Sequence, residues 1–478
     1  MIRAQLEQRV RQILRERRTP VDPGTPPGQS TPADPAAADP AAADPAAARA
    51  GDTARPPIGA DARLRAIADT LGADILERDG GVALVVDRFY PADHCHGLLR
   101  LGDVAGRALA IAPEIGLLGG VPEPLDRAAR PLLFVDLETT GLSGGAGTYA
   151  FLVGCAYFEP HGFRVRQFFL PGYQHERRML AEVESLVQGS AALVSYNGKS
   201  FDVPVLETRY QFNRLAPPFG RMAHVDMLHP ARRLWKGTTA PGAWPDTDSC
   251  RLVTLERALF GVRRLGDVAG FEIPARYFDF MRSGNAAPLE PVLEHNRLDL
   301  ISLAALTARA VHLLAAAPGS CSCARESLGA GRLYERAGLL DAAERCFRDA
   351  ADRACFERGP DASSLRADAL RAIALRCRRD RRHADAASAW QAIADDRHAP
   401  AALRREALEA LAIHFEHRAR DLAAASRFAQ LSLAERVGTR TMEPGRHRLA
   451  RLQRKLGRLA AAGRPGRMWE GLELPVED

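Results

Sequence analysis

From residue 131 onward the apolar positions fall into short blocks. LLFVDLE (132–138) is an apolar run that ends in acids, and AFLVGCAYF (150–158) and RVRQFFL (164–170) come closely after it. Runs of this length and makeup predict strands, and the short links, with a turn at Pro160–Gly162, predict an antiparallel meander. The spacing then changes. In HERRMLAEVESLV (175–187) the apolar residues Met179, Val183, Leu186 and Val187 recur at helical intervals. ALVSYN (192–197) reads as a strand, Phe201 to Phe212 as a helix, and HVDMLH (224–229) as a strand ending at Pro230. LEPVLEHNRLDLISLAALTARAVHLL (289–314) reads as a long helix with an apolar stripe. The order β-β-β-α-β-α-β-α predicts an α/β domain over 131–316 with a mixed five-stranded sheet.

Residues 319–460 show helical spacing only. Gly331, Tyr334, Gly338, Ala343, Phe347 and Ala350 form a first unit, and the Ala343/Phe347 pair returns as Ala386/Trp390 and Ala424/Phe428. Small residues let paired helices approach and the aromatic fills the gap, so this region predicts an all-α repeat domain. A short tail covers 461–478. A lead segment over 61–130 contains VALVVDRFY (82–90), which reads as a strand, and 115–131 reads as a connector. Residues 1–18 read as a short basic helix, and 19–60, with its ADPAAADPAAADPAAARA repeat, as a disordered linker, because proline this frequent blocks helix and ladder alike.

Composition narrows the function classes. At 478 residues the chain exceeds one ordinary domain, and 46% hydrophobic with 26% charged residues is the balance of a globular protein. No run of about 18 apolar residues occurs, so no membrane span or membrane partner is expected. MIRAQLEQRVRQILRERR has no apolar core for a secretory signal, which predicts a cytoplasmic chain. The eight cysteines are unpatterned, which excludes a disulfide scaffold. Three of the 65 basic residues are lysines (Lys199, Lys236, Lys455), leaving 62 arginines, whose guanidinium groups fork onto phosphate. Residues 319–478 hold 30 Arg and Lys against 23 Asp and Glu, and this excess of seven favours an anionic partner, nucleic acid first.

The candidate chemistry is spread over three places. Asp136 and Glu138 are two apart on a strand and so share a face, a hard-oxygen site for Mg²⁺ or Mn²⁺. Asn197 and Phe201-Asp202 lie at a strand-to-helix junction, and His295 and Asp299 lie one turn apart on a helix. Singly, these read as a strand-end turn, a helix cap and a solvated pair. Together they place four acids toward one site, where a pair of divalent cations, about 3.5–4 Å apart, clamps the attacking and leaving oxygens of a phosphodiester. A nearby histidine takes a proton from the attacking water.

FVDLETTGL, YNGKSFD and HNRLD resemble the three exonuclease motifs of the DEDD (DnaQ-like) 3′–5′ exonuclease superfamily. FVDLETTGLSGGAGTYAFLVG and HVDMLHPARRLW, with a helical tail, resemble more closely the YprB-type ribonuclease-H-like family, over roughly residues 80–460. The resemblance implies a ribonuclease-H-like fold, with Asp136, Glu138, Asp202 and Asp299 as ligands of two Mg²⁺ or Mn²⁺ ions. It also implies His295 as the group that orients or deprotonates the water. The offsets around Phe347 resemble a tetratricopeptide repeat, although the steps of 43 and 38 residues exceed its usual period. The superfamily's histidine branch has H-x₄-D and its tyrosine branch Y-x₃-D; H-x₃-D here puts a histidine at the tyrosine-branch position.

Thr139, Thr140, Gly141, Asn197, Lys199 and Phe201 are the candidate substrate contacts. Gly144–Gly147 reads as a flexible turn, Asp226 as a cap of the next helix, and His94-Cys95-His96 as lacking the partner pair a metal needs. Gly198-Lys199-Ser200 lacks the earlier glycine of a triphosphate loop. The last helix carries Leu449, Leu452, Leu456 and Leu459 as a stripe with a basic rim, which predicts a docked capping helix. The expectation is a 3′–5′ exonuclease acting on single-stranded RNA or DNA, with repeats that serve a protein partner or guide substrate. The alternatives are a nucleic-acid-binding adaptor or a protein-interaction scaffold with a vestigial nuclease site.

Overall fold

The structure is a computed structural model that describes residues 60–461 apart from 79–80, 105–111, 120–129, 142–146, 221, 237–249, 360 and 436–442. The expected basic helix over 1–18, all of the linker over 19–60 except its last residue, the tail from 462 and most of the glycine turn at 144–147 lie outside the described residues.

The meander forms as its apolar blocks require. Strands β5 (Leu132–Thr139), β6 (Ala150–Glu159) and β7 (Gly162–Phe169) pair antiparallel, and β8 (Ala192–Ser195) and β9 (Ala223–Asp226) add in parallel beside β5. The five expected strands are contiguous, but the sheet has seven. β2 (Gly81–Pro91) from the lead segment pairs with β7, and β1 (Asp74–Arg78) pairs with β2. The sheet order is β1-β2-β7-β6-β5-β8-β9. Periodicity marks VALVVDRFY as a strand but carries no sign that an open edge at β7 awaits it. A separate two-stranded ribbon joins β3 (Cys95–His96) to β4 (Leu99–Arg100).

In the same unit lie α1 (Ala60–Leu71), α2 (Glu114–Gly119), α3 (Glu176–Gln188), α4 (Asp202–Phe212), α5 (Leu228–Trp235), α6 (Leu252–Phe260), α7 (Ile273–Ser283) and α8 (Glu290–Ala315). Pro230 sits inside the first turn of α5 rather than ending a strand at 229, because proline costs no hydrogen bond in a helix's first turn. Alternation along β5 sorts two cores. Leu132 and Phe134 face one with α8, whereas Leu133, Val135 and Leu137 face the other with α3 and α7. The stretch Ala287–Ala315 is long and apolar enough to cross a membrane, yet 67% of its most apolar window is buried here, as befits a core helix.

Beyond α8 the described residues are helical: α9 (Ala324–Arg336), α10 (Leu340–Phe356), α11 (Ala362–Arg379), α12 (His383–Asp395), α13 (Ala401–His414), α14 (Leu422–Ala434) and α15 (Glu443–Ala461). Each packs on the next. A Cβ on Gly331 would stand 2.5 Å from the Phe347 ring, so the small-residue/aromatic pairing is real here, and Phe347, Trp390 and Phe428 are all buried. In α15 Leu452 is fully buried, and Arg451 and Lys455 pair with Glu416 at 2.7 and 2.9 Å. Several other basic residues of the region are held by its own acids: Arg376 and Arg382 both bind Glu344, and Arg371 binds Glu406.

The helical region docks on the sheet domain through α5. Trp235 Nε1 donates to Glu326 Oε1 at 2.9 Å, and a Cβ on Gly329 would lie 2.4 Å from the Arg233 carbonyl oxygen.

Candidate active site

On the α8 side of β5, the apolar positions Leu132 and Phe134 give way to Asp136 and Glu138 as the strand ends. Asp136 lies opposite Gly154 in the ladder, and the register shifts just after Glu138, a bulge that re-aims the chain from Thr139 onward. Gly154 matters because Asn296 of α8 lies against it: a Cβ there would come within 2.2 Å of Asn296 Oδ1. Asn296 is fully buried. Its Nδ2 donates to Asp136 Oδ2 at 2.8 Å, and its Oδ1 accepts from Gln167 Nε2 at 2.8 Å. Asn296 thus fixes the Asp136 carboxylate.

Asp202 is the first residue of α4 and is buried. Gly198 is required beside it, because a Cβ would stand 2.9 Å from Asp202 Oδ2 and 2.3 Å from Ser195 Oγ. Asp226, at the end of β9, accepts from the backbone amides of Asn197, Lys199 and Leu228 at 2.8, 3.1 and 3.1 Å. It therefore caps α5 as expected, and it also fixes the loop that delivers Asp202. Asn197 takes φ 70° there.

The fourth acid, Asp299, extends from α8 and is held. Arg264 Nη2 donates to Asp299 Oδ1 at 2.5 Å, while Nε and Nη2 fork onto Glu256 at 2.7 and 2.8 Å. Behind Glu256, Ser302 donates to its Oε2, and His96 Nε2 lies 2.7 Å from Ser302 Oγ. Burial, then Arg264 and His94, push the His96 imidazole down to about 4, so it packs neutral. His295 Nδ1 lies 2.6 Å from Asp267 Oδ1 and its Nε2 lies 3.7 Å from Asp299 Oδ2. A carboxylate only accepts, so Asp267 fixes the proton on Nδ1 and leaves Nε2 free to accept one.

Electrostatics ties the acids together. Burial, then Asp299, Glu138 and Asp202, hold the Asp136 carboxyl well above the usual range, and burial with Asp299 and Asp202 does the same to Glu138. Burial, then Asp226, pushes Asp202 up to about 7. Such groups share protons until a cation replaces them. Among the described residues, however, no three His, Cys, Asp or Glu side chains converge closely enough to hold a metal ion as they stand. The donor set fits a hard divalent cation by chemistry and charge. The ready-made cage is missing, and one visible reason is that Asp299 is turned onto Arg264.

The other candidates divide. Asn197 lines a cleft beside the carboxylates, and Lys199 is exposed near it in sequence. Phe201 is half-buried at the start of α4. Thr139 Oγ1 donates to the Gly141 carbonyl at 2.9 Å and Thr140 Oγ1 accepts from the Tyr149 amide at 2.9 Å, so both hydroxyls brace the loop after β5. Sequence reading missed Asn296, Arg264, Glu256 and Asp267. Asn296 stood inside the quoted HNRLD. The other three lie outside the motifs, and only their approach in three dimensions gives them a role.

Residues 133–311 match the sequence profile of the RNase_H superfamily, which supports a ribonuclease-H-like domain in this part of the chain. A curated relative, the uncharacterized protein YprB of Bacillus subtilis (strain 168), is 29% identical over 373 residues, covering 77% of this chain and 84% of that protein. Among solved structures, a product-bound exonuclease I covers 63% of this chain and 98% of its own, at 13% identity and a TM-score of 0.23, too low to carry weight.

Proposed function

We propose that the chain is a metal-dependent nuclease that hydrolyses phosphodiester bonds, working from the 3′ ends of single-stranded RNA or DNA. The observation that carries this is the gathering of carboxylates around the end of β5, where Asp136, Glu138 and Asp202 are raised by burial and by acidic neighbours. The ribonuclease-H superfamily match over 133–311 supports the same reading. Asp136, Glu138, Asp202 and Asp299 would hold two Mg²⁺ or Mn²⁺ ions. When bound, such ions would neutralise these acids and stabilise charge on the attacking and leaving oxygens. Asn296 keeps Asp136 oriented. His295 Nε2 accepts the proton of the attacking water or orients it, and Asp267 holds the ring in that tautomer. Asp299 must turn from Arg264 to complete the set. Thr139, Thr140 and Gly141 shape the loop against the terminal nucleotide, and Asn197, Lys199 and Phe201 contact it from the β8–α4 junction. The helical tail, read as tetratricopeptide-like hairpins, would hold a protein partner or guide substrate.

The Arg264–Asp299 pair favours a second reading, a nucleic-acid-binding adaptor with a vestigial site. Labelled RNA and DNA, single- and double-stranded, incubated with the full chain and Mg²⁺ or Mn²⁺ separate the two. The nuclease reading expects a ladder shortening from the 3′ end, lost in Asp136→Asn and Asp202→Asn. Binding without cleavage by wild type would establish the adaptor instead.

A further inference from the structure

Beside the carboxylates opens a cleft of about 770 Å³. Asp136 and Asp299 line it, and so do Tyr196, Arg232, Lys236 and Arg251. Its volume falls within the roughly 300–1,000 Å³ of ligand sites. The cations come from two elements: Arg232 and Lys236 from α5 and the residue after it, Arg251 from the residue before α6. All three are exposed. Among the described residues none of the three makes an ion pair, whereas Arg264 and the repeat arginines Arg376 and Arg382 are engaged by carboxylates. The wall that bears them is tied at two points. Tyr196 donates its hydroxyl to the Cys250 carbonyl at 2.5 Å, tying the end of β8 to the start of α6. Trp235, next to Lys236, is buried and hydrogen-bonded to Glu326.

A cleft that joins cations without an ion pair among the described residues to clustered carboxylates has a definite ligand chemistry. The carboxylates alone repel a polyanion. Three neighbouring cations reverse that repulsion for phosphates that lie beside the acids rather than on them. Guanidinium groups fork onto phosphate oxygens, and a lysine supplies a point charge. We propose that this cleft is the path of the strand, with Arg232, Lys236 and Arg251 holding backbone phosphates of the nucleotides next to the one being removed. This assignment rests on the nuclease reading and adds to it the surface that holds substrate. It also moves the anionic contact from the helical tail, where the sequence count pointed, to the sheet domain.

The test uses the full chain with Asp202→Asn, so that strands are not cut, and fluorescence-labelled single-stranded DNA and RNA in Mg²⁺ across a salt series. Arg232→Ala/Lys236→Ala/Arg251→Ala is compared in the same background. Each phosphate contact adds about 0.7 to the slope of log affinity against log salt on single strands. Losing three should lower the slope by about 2, which is roughly 100-fold in affinity at 0.1 M salt if the two chains converge at 1 M. The three side chains are exposed, so the melting temperature should hold and a change in binding reports contact. If the parent chain binds and the triple variant binds with the same affinity and slope, the cleft assignment is wrong while the nuclease reading stands. If the parent chain binds neither nucleic acid, the cleft assignment falls, and the cleavage assay on the wild-type chain decides the nuclease reading separately. Equal losses on RNA and DNA mean that the phosphates are read. A loss seen only with an added duplex would overturn the single-strand path.

Discussion

Asp267 and Arg264 change how the acidic site works, and neither touches the carboxylates on β5. Asp267 fixes one ring nitrogen of His295 and leaves the other facing Asp299. His295→Ala should therefore cost about 10²–10⁴-fold in turnover, the usual range for a positioned acid–base group. Asp267→Asn, which no longer demands a proton on Nδ1, should lower turnover less and alter the pH–rate profile. A profile identical to wild type would limit Asp267 to packing. Arg264 balances buried Glu256 and holds Asp299. Arg264→Met would strand Glu256 in the core and should cost about 3–5 kcal/mol by urea denaturation, recovered in large part by Arg264→Met/Glu256→Leu. An Arg264→Met loss below about 1 kcal/mol would show that Glu256 finds water or a proton.

At the scale of elements, the site is a meeting of β5 with α8, and Gly154 sets their distance. Gly154→Ala would push a methyl into Asn296, so it should cost about 1–3 kcal/mol and release Asp136 from its hydrogen bond. Thermal melts and a hydrolysis assay check both; an alanine variant with wild-type stability would mean that α8 shifts freely. Much at this scale was legible in the sequence. Alternation over 132–138 marked β5 and put both acids on one face, and i,i+4 spacing put His295 beside Asp299. Other features were not. Gly154 looks like an ordinary strand glycine until α8 is laid over it. The pairing of β2 with β7 joins residues some 80 positions apart, and no local pattern carries such a contact. Asn296 was visible in HNRLD but silent, because an amide acquires its role from the groups it faces.

At the scale of the whole molecule, many arginines of the helical region are paired with acids of that same region, and the region's first helix buries Trp235 against Glu326. A chain cut after residue 318 would expose that tryptophan, so lost binding in such a fragment would report lost packing rather than lost phosphate contacts. The acids give the molecule a pH signature. Asp202, raised to about 7, and Asp136 and Glu138, raised well above their usual range, keep protons in the folded chain that the unfolded chain releases at lower pH. Stability from these groups is full below the ordinary carboxylate range near about 4 and is lost as pH rises from there through about 7. His96 and His224, both pushed down to about 4 by burial, act oppositely, but only below the imidazole range near about 6.5. In chelator the melting temperature should thus fall as pH rises from the imidazole range near about 6.5 through about 7, and Mn²⁺ should flatten the fall. A rising curve in chelator would contradict the proton sharing among the acids.

The claim on which the rest depends is that these four carboxylates form a divalent-cation site although Asp299 is held by Arg264. Calorimetric titration of the full chain with Mn²⁺ tests it without any substrate. Saturable binding of two ions, with affinity sharply reduced in Asp136→Asn and Asp202→Asn, is the predicted result. Wild-type protein that takes up no Mn²⁺, or an Asp136→Asn chain that binds it as wild type does, would contradict the account.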